Sequence, residues 1–426
     1  MRKSDGYILD MTYPIYFYKE MQPLWLKTIF AILGFKTRDI EQSFSYLELG
    51  CARGINLIIA AMHYPQGQFV GIDFNPAHIK QAKQFAKQLN LTNVEFIEID
   101  FQSFIEKNTT HFDYIVNHGT FSWVSPVQQE KILQICAQFL KEQGIFYLHY
   151  MCYPGSIELQ PIQKLLNLVD QRTGKSSIDA IRQGKQLFTD LHQAGAFLHQ
   201  AKIEPIVNTL KQSDEYLAHE FLTNHWQPFY SVDVHQRVFE SSHMTYMGSA
   251  NPCNNIDSIS IPGKLQKIIS ETADPALKEY IKDIARDAKQ RIDIFQKMPI
   301  ALDPQRHLDT LKSIVFTKSA NMPSKNKRVF KTAIGDIPME LHMIDPIFIG
   351  LKEQNMTFAD LMLLEPFKHN LYFLIETISL LMSDDYIYPI LNQNQQNDST
   401  QIQVFNKLMH DLGMKLQLSE QSTVVM

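Results

Sequence analysis

Apolar and polar residues alternate in short blocks along the first 160 residues, in the order that an α/β domain requires. The apolar residues Tyr46, Leu47 and Leu49 predict a strand, and a helical pattern begins near Asn56. The spacing then predicts further strands over 68–72, 94–99, 112–116 and 145–150, with helices over 76–89 and 126–140. Strands and helices that alternate at this spacing predict a mostly parallel, doubly wound sheet.

The alternation stops near Pro161, so we expect the sheet to end before residue 160. Helical spacing follows, including an amphipathic helix that carries Leu187, Leu191, Phe197 and Leu198. Polar or proline-broken stretches at 251–262 and 318–327 predict surface connections.

A helix over 367–382 and a short extended piece after it indicate a winged-helix-like module near the carboxyl end. We therefore divide the chain into residues 1–157, 158–214, 215–310 and 311–426. These are expected to be a catalytic domain, a helical connection, a mostly helical middle domain and the winged-helix-like domain.

A glycine turn follows the first strand of the predicted sheet. The turn contains Gly50 and Gly54, and the next strand ends in Asp73. Glycines let the backbone approach a ligand, and the helix start offers free N–H groups. A carboxylate at Asp73 is placed to accept hydrogen bonds from two ribose hydroxyls, so the turn predicts a nucleoside cofactor.

The residues of the turn favour one nucleoside cofactor over another. A phosphate-binding GxGxxG turn would need small residues at positions 52 and 55, and Ile55 is not small. Glu48 precedes the first glycine by two residues. Its carboxylate would repel a pyrophosphate and attract an ammonium group, which favours S-adenosylmethionine (SAM) over a dinucleotide.

Composition narrows the class of protein. The chain has 426 residues, 45% of them hydrophobic, and a net charge of −5. Two or three domains are expected at this length, and the charge gives no indication of a nucleic-acid partner. The four cysteines lack metal-ligand spacing, which favours a reducing, cytoplasmic location without bound metal. The sequence shows no signal peptide and no apolar run of about 18 residues, so no membrane span is expected.

Several motifs give a resemblance to a known family. The motifs are ELGCARGINLI from Glu48, FVGIDFNP from Phe69, NHGTFSWVSP from Asn117, YPG from Tyr153 and HEFLTNHWQPFY from His219. The chain resembles bacterial class I SAM-dependent methyltransferases that carry a methyltransferase regulatory domain, a group that includes rickettsial protein lysine methyltransferases. The resemblance implies a Rossmann-like catalytic domain, a middle regulatory domain and a C-terminal winged-helix-like domain. Arg53 and Ile55 depart from the small residues that are common in the family's glycine turn.

The resemblance and the residue types together predict a cofactor site and an acceptor site. Glu48 would hold the methionine ammonium, Asp73 the ribose and Asp100 the adenine amino group. His118 would deprotonate or orient the acceptor, and Trp123 would form a wall beside it. The predicted cofactor contacts are Tyr13, Glu48, Gly50, Cys51, Gly54, Asp73, Phe74, Asp100, Phe101 and Asn117, and the predicted catalytic residues are His118, Asn117 and Trp123.

The predicted reaction is an in-line methyl transfer to the side-chain amine of a protein lysine. Two alternatives remain. One is a small-molecule N- or O-methyltransferase, which would have the same cofactor site, and the other is a SAM-binding interaction protein without catalysis. Two histidines of the HEFLTNHWQPFY motif, His219 and His225, have poor metal spacing, so we expect this motif to pack against the catalytic domain. A homodimer is among the assemblies that the sequence allows.

Overall fold

The computed structural model describes residues 2–174, 176–196, 203–319, 329–391 and 399–418. Phe197, Leu198 and most of the connection expected at 318–327 lie outside these residues. The first 160 residues alternate between strands and helices. Their elements are β1 (Lys3–Ser4), β2 (Tyr7–Ile8), α1 (Pro23–Leu33), β3 (Phe44–Leu49), α2 (Ile55–His63), β4 (Gly67–Asp73), α3 (Pro76–Gln88), β5 (Val94–Glu98), α4 (Phe101–Lys107), β6 (Phe112–Asn117), α5 (Pro126–Phe139) and β7 (Leu140–Met151).

Every strand and helix predicted between residues 46 and 150 is present. α3 illustrates why these predictions succeed. The Asn75 side chain accepts a hydrogen bond from the Ala77 N–H, and Pro76 occupies the first helical position, so the helix starts there. Ile79, Ala82 and Phe85 recur at helical spacing and are buried.

A single mixed sheet forms the centre of the molecule, and it does not end before residue 160 as predicted. Strands β3 to β7 pair with one another in parallel. Two further strands, β8 (Met244–Ser249) and β9 (Gln290–Lys297), extend the sheet to the order β5-β4-β3-β6-β7-β9-β8. β9 pairs antiparallel with both β7 and β8. The middle part of the chain is therefore helical only in part, because it completes the sheet that begins in the first part.

Helices precede these two strands in the chain and separate them from each other. They are α6 (Gln160–Thr173), α7 (Ser177–Gln193), α8 (Ile203–Thr209), α9 (Asp214–Phe221), α10 (Ser231–Ser242), α11 (Asp257–Ser260), α12 (Gly263–Glu271) and α13 (Pro275–Arg286). Helices α6 to α9 enclose a small core of their own, which also takes in Ile8 from the amino-terminal hairpin. α9 is thereby fixed close to the beginning of the chain.

The remaining elements form a C-terminal region. They are α14 (Pro304–Lys312), β10 (Val315–Lys318), β11 (Val329–Thr332), β12 (Gly335–Pro338), α15 (Leu341–Glu353), β13 (Met356–Thr357), α16 (Phe358–Met362), α17 (Leu371–Ser383), β14 (Ile387–Ile390) and α18 (Ser399–Asp411). Strands β13, β10 and β14 form a small antiparallel sheet. The helix predicted over 367–382 starts at Leu371, because the Asn370 side chain caps it by accepting from the Phe373 N–H.

The C-terminal region packs on the amino-terminal part of the catalytic sheet. α1 contacts both α14 and β14, and their buried side chains belong to one continuous hydrophobic cluster. Within the described ranges, no helix has the length and apolar character needed to cross a membrane.

Candidate active site

A cavity of about 180 Å³ lies at the carboxyl ends of β3, β4, β5 and β6. In a doubly wound sheet this edge is where ligands bind. The cavity brings together nearly all the predicted cofactor contacts and one of the predicted catalytic residues. Its lining includes Tyr13, Glu48, Gly50, Cys51, Gly54, Asp73, Phe74, Asp100, Phe101 and His118.

The glycine turn between β3 and α2 has a backbone that requires glycine at two positions. Gly50 has a φ of 74° and Gly54 a φ of 71°, both in the left-handed region. A Cβ atom at Gly54 would lie 2.3 Å from the Phe96 ring, and one at Gly50 would lie 2.5 Å from Thr120 Oγ1. The turn thus leaves its backbone bare toward the cavity, which suits close approach of a ligand.

Glu48 lies at the floor of the cavity with an unsatisfied carboxylate oxygen. One oxygen interacts with the Asn56 side chain, whereas Oε2 has no hydrogen-bond partner among the described residues. Burial, and then the charge of Asp73, raise the pKa of Glu48 well above its usual range. A bound ammonium group would supply the missing partner and favour the ionised form. The site therefore fits the amino-acid end of SAM.

Asp73 ends β4 with its carboxylate beside the glycine turn. Oδ2 accepts a hydrogen bond from the Ala52 N–H at 2.9 Å, and Oδ1 accepts one from the Asn75 N–H at 2.8 Å. These bonds fix the carboxylate. A carboxylate offers about four lone-pair sites, so capacity remains for the two ribose hydroxyls.

Asp100 follows β5 and lines the cavity, but its carboxylate already caps α4. It accepts hydrogen bonds from the Ser103 N–H at 2.9 Å and the Ser103 hydroxyl at 2.7 Å. The backbone bond from Ser103 is the main reason why the pKa of Asp100 is lowered. The contact with an adenine amino group therefore stays a prediction, and the observed role of the side chain is to start a helix.

His118 lies between aromatic rings at the cavity wall. Its ring stacks on Tyr18 at 3.7 Å and on His149 at 4.1 Å between ring centroids. Nδ1 is 2.8 Å from the Tyr147 hydroxyl oxygen. Burial, and then the charge of His149, lower the pKa of His118 well below its usual value. His118 is therefore neutral at physiological pH, and its role toward the methyl acceptor stays a prediction.

Two predicted catalytic side chains do not line the cavity. Asn117 is fully buried, and its Nδ2 donates to the Leu49 carbonyl at 2.9 Å, which joins the ends of β6 and β3; its cofactor contact stays a prediction. Trp123 is buried against Met151 and Trp226 and stacks on the far side of His149. Neither side chain is among the residues that line the cavity.

Three residues at or beside the cavity were not predicted as site residues, namely Tyr7, His78 and His219. The Tyr13 N–H donates to His78 Nε2 at 3.0 Å, and His78 lies 3.5 Å from the Asp73 carboxylate. His219 Nδ1 is 3.1 Å from the Tyr7 hydroxyl oxygen, and its ring contacts the Tyr13 ring. The packing expected of the HEFLTNHWQPFY motif is confirmed at His219. The sequence gives no local signal of these contacts, since the partners are up to 212 positions away.

Two family models match consecutive parts of the chain. Residues 40–216 match the family model of a methyltransferase domain, and residues 213–297 match that of a predicted methyltransferase regulatory domain. The regulatory match contains both β8 and β9, so this domain contributes two strands to the catalytic sheet.

Similar proteins cover most of the chain. The uncharacterized protein sll1526 of Synechocystis sp. is 29% identical over 398 residues, which is 92% of this chain and 78% of that protein. The uncharacterized protein RP789 of Rickettsia prowazekii is 27% identical over 74% of this chain and 57% of its own length. The solved structure of PKMT2 from Rickettsia typhi in complex with AdoHcy has a TM-score of 0.71 and 19% identity, and the match covers 96% of this chain and 84% of that one.

The cavity is lined by the glycine turn and by the two acids Glu48 and Asp73, and these lie within the part that matches the methyltransferase model. The shared fold extends to almost the whole chain. The protein therefore belongs to the class I SAM-dependent methyltransferases that carry a methyltransferase regulatory domain.

Proposed function

We propose that the protein methylates lysine side chains of a protein substrate. The observation that carries this proposal is the composition of the cavity wall around His118. The rings of Tyr13, Tyr16 and Tyr18 line the cavity beside a neutral imidazole. Aromatic faces attract a cationic amine and pack along an alkyl stem, which are the two parts of a lysine side chain.

The chemistry asks little of an acid or base. SAM supplies a methyl group on a sulfonium that leaves readily, so the protein must align the acceptor and present it unprotonated. A lysine amine has a pKa of about 10.4 in water, and desolvation between aromatic rings lowers it. The neutral Tyr18 hydroxyl, whose pKa burial raises to about 12, can accept a hydrogen bond from the amine and orient it.

Other parts of the proposal concern the rest of the molecule. The fold shared with PKMT2 agrees with a protein substrate. The sheet β13-β10-β14 and the helices α16 and α17 support a winged-helix-like C-terminal domain, which we propose as a protein-binding module. The domain bounds at 157, 214 and 310, the cytoplasmic location and a homodimer stay predictions.

The decisive experiment is methyl labelling. The full chain is incubated with SAM that carries a tritiated methyl group and with a bacterial lysate, and labelled protein is separated from labelled small molecules. Acid hydrolysis of the protein fraction should release labelled methyllysine. The Asp73→Asn variant serves as the matched control and should give little label. Label confined to small molecules would favour the small-molecule methyltransferase, and an absence of label would favour an interaction protein.

A further inference from the structure

Glu220 is a half-buried carboxylate that the chemistry described above does not use. It lies in the last turn of α9, and its Oε1 accepts one hydrogen bond, from Trp226 Nε1 at 3.4 Å. Among the described residues no lysine, arginine or histidine forms an ion pair with it. A carboxylate withdrawn from water without a cation is unfavourable unless a ligand provides one.

Aromatic residues lie near Glu220. Trp226 donates to its side chain, and Trp123 Nε1 donates to its backbone carbonyl at 3.3 Å. Tyr216 lies one helical turn earlier on α9, so its side chain and that of Glu220 share a face of the helix. An acid with indole and phenol rings near it offers the two kinds of group, a carboxylate and aromatic faces, that attract alkylammonium ions.

Glu220 does not itself line the methyltransferase cavity, but a ring contact connects its helix to residues that do. The Tyr216 ring lies 6.0 Å from the Tyr16 ring, and Tyr16 and Tyr18 line the cavity beside His118. The charge of Glu220 also raises the pKa of four tyrosines, Tyr7, Tyr13, Tyr18 and Tyr216. Three of these tyrosines line the cavity. The carboxylate therefore lies within electrostatic reach of the cavity wall.

We propose that Glu220 binds the ammonium group of the methyl acceptor, so that the acceptor class is a cationic alkylamine such as a lysine side chain. This inference rests on the proposed function and assigns a residue to its substrate. The ammonium gives one proton to the Glu220 carboxylate, and the freed lone pair forms the N–C bond to the methyl group. The electron pair of the broken C–S bond stays on sulfur, which leaves the neutral thioether, and the proton passes from the carboxylic acid to water.

The electrostatics around Glu220 agree with this role. Burial raises the pKa of Glu220 to about 7, close to working pH, where a carboxyl group can both accept and release a proton. The titratable groups that face it are Tyr7, Tyr13, Tyr18 and Tyr216, and their raised pKa values keep them neutral there.

The test uses butylammonium, which reproduces the end of a lysine side chain. The chain has three tryptophans, and two of them donate hydrogen bonds to Glu220. Tryptophan fluorescence therefore reports on binding at Glu220. The full chain, saturated with S-adenosylhomocysteine, is titrated with butylammonium and with neutral butanol. We expect saturable binding of butylammonium only, weakened at least about tenfold by Glu220→Gln, the size of one charge-assisted contact. Glu215→Gln, which changes an exposed acid on the same helix, should bind like the wild type.

The pH dependence separates binding by the carboxylate from a structural effect. Between pH 6 and pH 8, wild-type affinity for butylammonium should rise as Glu220 ionises, and Glu220→Gln should show no such rise. The affinity for S-adenosylhomocysteine should stay within about twofold of wild type if the variant is folded. Equal butylammonium affinity in wild type and Glu220→Gln, or equal binding of butanol, would overturn the inference.

Failure of this inference and failure of the proposed function give different results. If the wild type labels protein lysine but Glu220→Gln keeps both its butylammonium affinity and its KM for the lysate proteins, Glu220 is not the amine-binding residue. If the wild type labels no lysine, the proposed function fails, and the butylammonium titration still decides whether Glu220 binds a cation.

Discussion

Single residues decide which ligand the glycine turn accepts, and Asp73 is the clearest case. Asp73→Asn keeps the size of the side chain but removes the charge that two ribose hydroxyls would meet. Loss of charge-assisted hydrogen bonds should weaken S-adenosylhomocysteine binding at least about tenfold in calorimetry. Trp123→Phe is the control, because Trp123 is not among the residues that line the cavity and its variant should bind within about twofold of wild type. Similar losses in the two variants would contradict the ribose assignment.

His149 gives a residue-scale prediction about pH. Its Nδ1 accepts the Gly119 N–H, Nε2 lies 3.2 Å from Gln290 Oε1, and burial lowers its pKa from 6.5 to about 4. The unfolded chain thus binds a proton at higher pH than the folded one. The neutral ring contributes stability above pH 6.5, and this contribution is lost as the pH falls toward 4. At about 1.4 kcal/mol per pH unit, the loss is about 3 kcal/mol.

The free energy of unfolding must be compared between wild type and a His149 variant. The pH dependence of the wild type alone is not enough, because buried acids change folding stability with pH in the opposite direction to His149. Burial raises the pKa of Glu220 to about 7, so this group favours the folded state at low pH. Urea unfolding of wild type and His149→Asn at pH 7 and at pH 4 isolates the histidine. The variant should lose about 3 kcal/mol less than wild type on acidification. His111→Asn, at an exposed histidine, should follow the wild type, and parallel losses in all three proteins would exclude the assigned effect.

At the scale of elements, local sequence patterns were sufficient to predict strands and helices wherever residues that are close in sequence are also close in space. The predicted elements from β3 to β7 are present because each buries an apolar face on the next one, and the acids and glycines of the site follow directly from strand ends. β8 and β9 were not predicted, because they pair with each other across 40 residues and join β7 from the far side. His78 and His219 were missed as neighbours of the site for the same reason, since only tertiary packing brings them to the tyrosines of the cavity wall.

Residues 13–18 form the segment that covers the cofactor site, and we call them the cofactor segment. Its backbone is attached at two points, by the bond from the Tyr13 N–H to His78 Nε2 and by that from the Tyr18 N–H to Asn56 Oδ1 at 2.9 Å. His78→Ala removes the first attachment. We expect S-adenosylhomocysteine affinity to fall about threefold to tenfold, the effect of one lost hydrogen bond.

Limited digestion with chymotrypsin, which cleaves after aromatic residues, should also cut the His78→Ala variant faster within this segment. His111→Ala changes an exposed histidine elsewhere and should be digested like wild type. Unchanged affinity and unchanged digestion would mean that the segment is held without His78.

At the scale of the whole molecule, Lys19 connects the cofactor segment to the C-terminal region. Its Nζ donates to the Met382 carbonyl at 2.7 Å and pairs with Asp385, and it lies over the Trp25 ring. Because Lys19 directly follows Tyr18, which stacks on His118, the position of the C-terminal region bears on the active site. Lys19→Met would leave carbonyl and carboxylate groups without their cation, at about 1–3 kcal/mol of folding stability.

If the C-terminal region holds the cofactor segment in place, Lys19→Met must also weaken S-adenosylhomocysteine binding, although Lys19 is absent from the cavity lining. Calorimetry and urea unfolding on the same samples measure both effects. Lys27→Met is the matched control, because its 3.5 Å pair with Asp39 is half exposed and such pairs contribute about 0–1 kcal/mol. Lower stability with unchanged affinity would show that the C-terminal region supports the fold alone. A fall in both would make it a part of the molecule through which a bound partner can regulate methyl transfer.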